Sequence, residues 1–240
     1  MNDLISIDLG NSNPHVLYFK NGKKSWTKNL NDFLKSWSCH DTTPIILTSV
    51  RKNFELPKGL LKNAIYPQKN FKHGKFFDMQ VNYSETLGGD RLIQAYYLYK
   101  NSELPCLLID SGTFTKIDYV SSAGFLGGHI FPGVHTFLNT YRAGDNLPAI
   151  HFKDMDSQWQ SGMLPQNTKD AIEKSCHLYH SMLIQHFLKK FPNKKIILSG
   201  GQADYIANFI ETENYEISPD LIHLAHLFLY QQHYATEKKS

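Results

Sequence analysis

Two short stretches of this chain carry the same chemical grammar. Leu4-Ile5-Ser6-Ile7-Asp8-Leu9 runs into Gly10, Asn11 and Ser12, and Leu107-Leu108-Ile109 runs into Asp110, Ser111, Gly112 and Thr113 about a hundred residues later. In each, an aspartate ends an apolar run, a glycine follows within two residues, and amide or hydroxyl side chains lie alongside. Glycine lets the backbone turn tightly and come close to a bound phosphate, whose oxygens the N–H groups and neighbouring hydroxyl or amide groups can bond. The aspartate supplies the negative charge that Mg²⁺ or its water shell requires. Two such loops facing each other would clamp a triphosphate from both sides; the plainer alternative is a duplicated pair of structural turns.

Three further stretches could do chemistry. Leu87-Gly88-Gly89-Asp90-Arg91 stands immediately before a helical pattern. Asp90 there sits where a helix N-terminus stabilises negative charge, and it could accept a proton from an attacking hydroxyl. Arg91 could grip a carboxylate through two hydrogen bonds. Taken alone, the same residues also read as an N-cap aspartate after a glycine turn. Gly127-Gly128-His129-Ile130-Phe131-Pro132-Gly133 is a glycine-rich loop ahead of a helix. Ser199-Gly200-Gly201 would let a base or ribose lie against the backbone, or would simply turn a strand into a helix.

Alternating strands and helices must position these groups. Each aspartate run reads as a buried strand, and each is followed by a hairpin: Val16 to Phe19 turning at Asn21-Gly22, and Ile117 to Val120 turning near Ser121 to Gly124 and returning through Phe125 and Leu126. Pro44 to Ser49 is a third apolar strand, and Arg91 to Tyr99 is helical by its spacing of Leu92, Ala95, Tyr96 and Tyr99. Asn167-Thr168 opens a long helix with an apolar stripe, Lys195 to Ser199 is a strand, and a last helix follows Pro219. The pattern predicts an α/β protein built by duplication, with a first half over 1–100 holding one phosphate loop and a second over 101–240 holding the other.

Composition narrows the field. The chain has 240 residues, 41% hydrophobic and 20% charged, with a net charge of +3 and no long basic run. Phosphate neutralisation on a nucleic acid would want a larger basic stripe, so no nucleic-acid partner is expected. No basic leader or stretch of about 18 apolar residues is present, which argues against a signal peptide and a membrane span. Cys39, Cys106 and Cys176 are widely spaced and outside any metal or redox pattern, as in reduced core thiols of a cytoplasmic protein. His177, His180 and His186 fall on one helix without partners at ligand spacing and read as surface or core histidines.

In order and spacing, these motifs resemble the type III pantothenate kinases, members of the acetate and sugar kinase, heat-shock protein and actin superfamily. The likeness runs from Asp8-Leu9-Gly10-Asn11-Ser12 through Gly88-Gly89-Asp90-Arg91, Asp110-Ser111-Gly112-Thr113 and the Gly127–Gly133 loop to Leu147-Pro148, Thr168-x-x-Ala171-Ile172 and Ser199-Gly200-Gly201. It implies two ribonuclease-H-like (actin-like ATPase) halves, each a mixed sheet flanked by helices, in a cytoplasmic homodimer. The implied reaction is ATP-dependent phosphorylation of pantothenate with Mg²⁺, the first step of coenzyme A biosynthesis. By the same likeness Asp8, Gly10, Asn11, Ser12, Asn13, His15 and Thr113 would contact ATP phosphates and Asp90 would be the general base. Tyr83, Gly88, Gly89, Arg91 and Thr168 would form the pantothenate site, and Asp110 would bind a monovalent cation, K⁺ or NH₄⁺.

The chain departs from that family at several positions. Lys116 stands where a threonine is usual, so its ammonium could take the place of the cation beside Asp110 or point to solvent. Tyr83–Leu87 is shorter than usual and lacks the common proline, Ser175 replaces a frequent glycine, and His15 stands where a basic residue is common. Two other functions fit the same grammar: a regulatory relative of the fold with weak or no catalysis, and a kinase of another hydroxylated acid or sugar.

Overall fold

Alternation along the first strand, β1 (Leu4–Leu9), sets what each layer around it must contain. Ile5, Ile7 and Leu9 share one face and join Val16, Phe33 and Leu60 in an apolar cluster, while Leu4, Ser6 and Asp8 take the opposite face. The computed structural model describes residues 3–10, 14–38, 41–51, 56–155 and 164–235.

β2 (His15–Lys20) runs antiparallel to β1, with His15 opposite Asp8. It turns into β3 (Lys23–Asn29) through Asn21 and Gly22, both at positive φ (52° and 76°), the two-residue turn whose twist matches a hairpin. Helix α1 (Leu30–Ser36) follows, its first turn capped by Asn29 Oδ1, which accepts from the Asp32 N–H at 2.9 Å. β4 (Ile45–Ser49) then pairs parallel to β1 on its free edge. After α2 (Lys58–Asn63), β5 (Ala64–Ile65) pairs parallel to β4, giving the order β3-β2-β1-β4-β5. A small antiparallel sheet of β6 (Phe71–Lys72), β7 (Lys75–Phe76) and β8 (Met79–Gln80) leads to α3 (Gly89–Asn101). α3 is buried nearly all round over its first two turns.

The same plan recurs. β9 (Cys106–Ser111), β10 (Phe114–Ser121) and β11 (Gly124–Pro132) are followed by α4 (Val134–Thr140), α5 (Thr168–Lys190), β12 (Lys195–Ser199), α6 (Ala203–Ala207) and β13 (Tyr215–Ile217). The order is β11-β10-β9-β12-β13, with β12 parallel to β9 and to β13. β1 and β9 even share one burial sequence, in which the fifth residue, the aspartate, is the half-buried member of an otherwise buried strand. Both sheets are mixed and flanked by helices, the ribonuclease-H-like α/β arrangement that the repeated motifs suggest.

The division of the chain differs from a cut at residue 100. One compact unit comprises 1–104, 120–127 and 220–240, and the other 105–119 and 128–219. The last helix, α7 (Leu221–Leu229), belongs to the first unit because it packs on β1 and α3. The hairpin tip also joins it, through a bridge between Val81 and Phe125. Cys106 and Cys176 are buried free thiols, and Cys39 lies outside the described residues. No described helix is long and apolar enough to cross a membrane.

Two glycines of β11 separate backbone strain from close packing. Gly124 and Gly127 have nearly equal φ, +110° and +109°. A β-carbon at Gly124 would run into the Gln80 carbonyl, whereas one at Gly127 would meet nothing within 4 Å. Gly127→Ala is expected to cost only the strain, about 1–3 kcal/mol, and Gly124→Ala roughly 1–3 kcal/mol more from overpacking. Urea denaturation of the two variants measures the gap, and equal losses would refute this account.

Candidate active site

In the first unit the sheet delivers Asp8 to the carboxyl end of β1. Its carboxylate leans over the following glycine, so that a β-carbon on Gly10 would lie 3.5 Å from Asp8 Oδ2. The Arg51 side chain, just past β4, donates from Nε to the Gly10 carbonyl at 2.7 Å and ties the two strand ends together. Asn11, Ser12 and Asn13 lie outside the described residues. His15 is half-buried opposite Asp8, and its ring meets that of His223 edge-on at 4.6 Å.

At the start of α3 the N-cap is Gly88, and Asp90 is the second helical residue, so the reading of Asp90 as the helix cap is corrected. Asp90 is 8% exposed, and its Oδ1 folds back over Gly88, where a β-carbon would stand 2.7 Å from it. Glycine at 88 is thus what lets the carboxylate take this position. Arg91 is almost fully buried, its guanidinium 5.1 Å from the Tyr83 ring centre and 5.7 Å from that of Phe125, held by cation–π attraction. Tyr83, Gly88, Gly89, Asp90 and Arg91 therefore gather at one end of α3.

The second unit builds its own loop after β9. The Gln202 N–H donates to the Ser111 carbonyl at 3.0 Å, and the Gly133 N–H donates to the Thr113 carbonyl at 3.1 Å, joined there by the Thr136 hydroxyl. Gly200, at φ +83°, crosses so close that a β-carbon would lie 2.6 Å from Asp110 Oδ1. Gly112 and Gly201, by contrast, have nothing within 4 Å of where a β-carbon would be, so their backbone is open to a ligand. Lys116 Nζ reaches Asp110 Oδ2 at 2.7 Å, with the two side chains only 17% and 13% exposed. Of the two placements left open for Lys116, the structure has the one that faces Asp110. Thr168 is exposed on the first turn of α5 behind the Asn167 cap.

The polar groups that sequence reading missed lie on the even face of β1. Thr48 Oγ1 and His226 Nε2 are 2.5 Å apart, His226 Nδ1 and Ser6 Oγ 2.7 Å, and Ser6 Oγ and His223 Nδ1 2.5 Å. All four side chains are completely buried. Burial pushes the His226 imidazole down to about 3 and holds that of His223 well below its ordinary value, with His15 adding to both effects and His226 and Lys24 adding at His223. Serine inside an apolar strand and histidines on the apolar side of α7 were the available signals. His177 and His180, in contrast, are core histidines: His180 Nδ1 donates to the Cys176 carbonyl at 2.8 Å, and His177 Nδ1 lies 3.1 Å from the Tyr205 hydroxyl. Among the described residues no three His, Cys, Asp or Glu side chains are grouped to hold a metal.

Residues 4–190 match the family described as Type III pantothenate kinase. A Type III pantothenate kinase of Campylobacter hominis is 26% identical over 213 residues, covering 89% of this chain and 92% of that one. One from Helicobacter pylori is 34% identical over 158 residues, covering 66% of this chain and 64% of that one. Among solved structures, a Campylobacter jejuni protein described as a Baf family transcriptional activator superposes with a TM-score of 0.66 at 23% identity, over 95% of this chain and 98% of that one, a likeness of fold.

The buried histidine pair sets an acid limit on stability. Both stay neutral in the folded protein below the pH at which the unfolded chain takes up protons, near 6.5, so the unfolded state binds more protons and stability falls as pH drops. The loss begins near pH 6.5 and continues down toward pH 3 for His226. Each histidine should contribute up to about 1.4 kcal/mol per pH unit. Urea midpoints at pH 7.5 and 5.5 should differ clearly, and His223→Gln should reduce that difference. A midpoint independent of pH would show that the pair is charged or hydrated in solution.

Proposed function

Because the chain belongs to the type III pantothenate kinase family, we propose that it transfers the γ-phosphoryl group of ATP to the primary hydroxyl of pantothenate with Asp90 as general base. The carrying observation is the convergence at the start of α3: a nearly buried carboxylate poised over Gly88, beside Gly89, Arg91 and Tyr83. Asp90 takes the hydroxyl proton as that oxygen bonds to the γ-phosphorus and the bond to the bridging oxygen breaks, releasing ADP. Gly88, Gly89, Arg91 and Tyr83 shape the pantothenate site, and Thr168 adds a contact to it. Asp8, Gly10 to Asn13, His15 and Thr113 meet the ATP phosphates, a role supported at Gly112 by open backbone beside Thr113. Mg²⁺, when bound with ATP, offsets phosphate charge, and the Asp8 carboxylate fits its preference for oxygen ligands.

Asp110 does not fit a separate K⁺ or NH₄⁺, because the Lys116 ammonium already lies against its carboxylate in a half-buried pair. We assign the cationic role at this position to Lys116. Membership of the family also supports a cytoplasmic homodimer, which light scattering of the purified protein would test.

Turnover with ATP, Mg²⁺ and pantothenate should fall by at least about 10²-fold in Asp90→Asn with the melting temperature nearly unchanged. Turnover that survives the substitution would remove Asp90 from the chemistry, and an inactive wild-type protein would favour the regulatory relative or another acceptor. Replacing Na⁺ by K⁺ should change the wild-type rate by less than about twofold, whereas Lys116→Ala should become dependent on K⁺ or NH₄⁺. A steep K⁺ requirement in the wild type would overturn the role given to Lys116.

A further inference from the structure

The buried chain of Thr48, His226, Ser6 and His223 ends beside Gly89, the residue before Asp90. Thr48 lies on β4 beside Asp8 in the parallel register, so it belongs to the strand pair that carries the first aspartate loop. Its hydroxyl faces α7 and meets His226. Its methyl faces α3, where a β-carbon at Gly89 would lie 3.3 Å from Thr48 Cγ2. Gly89 is the first residue of α3 and Asp90 the second.

The two roles are tied together by the geometry of threonine. A β-branched side chain has few χ1 wells, and choosing where Oγ1 points also chooses where Cγ2 points. The bond to His226 selects the well that sets the methyl under Gly89. His226 cannot drift, because its other ring nitrogen is held by Ser6, which is held in turn by His223. Neutral imidazoles and hydroxyls can run this chain in one direction throughout: Thr48 donates to His226 Nε2, His226 Nδ1–H to Ser6 Oγ, and Ser6 to His223 Nδ1. The reverse direction satisfies the same three contacts.

An apolar face would have served burial more cheaply. Four polar side chains are dehydrated here, and His223 Nε2 has no hydrogen-bond partner in the structure, which carries a cost that ordinary packing would avoid. What the polar chain adds is direction. We infer that Thr48 is a positioning residue for Asp90, its methyl locked beneath the start of α3 by the His226–Ser6–His223 chain so that the carboxylate is held in register with the end of β1. This rests on Asp90 as the general base.

Two variants separate the methyl from the hydroxyl. Thr48→Ser keeps the hydroxyl and removes the methyl; Thr48→Val keeps a methyl toward Gly89 and loses the bond to His226. With ATP, Mg²⁺ and pantothenate, Thr48→Ser should melt close to wild type yet lose about tenfold in kcat, with KM for ATP unchanged. Valine carries a methyl on both branches, so one stays beneath Gly89 without a hydrogen bond to choose the orientation. Thr48→Val should melt lower yet keep kcat within about threefold, a reversed ranking that a purely structural role would not give. Adding Thr48→Ser to Asp90→Asn should lower the residual turnover no further, as expected of two residues acting as a unit. The inference is overturned if Thr48→Ser keeps wild-type kcat, if Thr48→Val loses as much kcat as Thr48→Ser, or if the serine costs the same factor in both backgrounds. Asp90→Asn with full turnover is a separate outcome: it removes the base assignment and this inference with it.

Discussion

A strand covered on both faces can carry charge only where it leaves the sheet, and the rest of this molecule is arranged around that constraint. β1 and β9 each have a hairpin strand on one side and a parallel strand on the other, and every residue but the aspartate is buried. An ionised carboxylate in the middle of such a strand would be prohibitively costly. At the carboxyl end it is half-buried, next to a turn in which glycine lets other backbone approach. Parallel pairing brings β4 to the end of β1 and β12 to the end of β9, so each aspartate gains a neighbouring loop by topology alone: Ser49 to Arg51 beside the first, Gly200 to Gln202 beside the second.

The duplicated loops then diverge in how they handle charge. At Asp110 a lysine six residues on returns along β10 and forms an ion pair with little exposure to water. A charge pair this sheltered is screened far less than a surface pair, and removing either partner would leave the other unbalanced. In the first unit Arg51 ties the loop backbone by bonding the Gly10 carbonyl, and the Asp8 carboxylate leans over Gly10. The same strand-and-turn plan thus carries a lysine–aspartate ion pair in one unit and an arginine-to-backbone tie in the other.

What could be read from the sequence was local. Asn21-Gly22 dictates a hairpin because both residues tolerate positive φ, and the helix at Gly89 follows from the spacing of its apolar residues. The repeat of apolar run, aspartate and glycine was enough to give two similar sheets. The Asp90 cap reading failed for a local reason too: a glycine pair offers two possible starts, and the helix takes the earlier one, placing Asp90 one residue inside. The allotment of α7 could not be read, since a helix near the end of the chain is apolar enough to cover either sheet. Its attachment to β1 depends on contacts such as Ser6 with His223 and Thr48 with His226, 217 and 178 residues apart.

Those contacts also explain why α7 carries histidines on a buried face at all. Apolar packing between α7 and the sheet would tolerate sliding or rotation by a fraction of a turn, because dispersion contacts are non-directional. Hydrogen bonds of 2.5–2.7 Å from two successive turns of the helix to two adjacent strands do not. α7 packs against α3 as well as β1, so fixing its rotation fixes the surface on which α3 rests. The helix that carries Asp90 is then aligned with the strand that carries Asp8 through a third element, which ties two groups far apart in sequence together within the first unit.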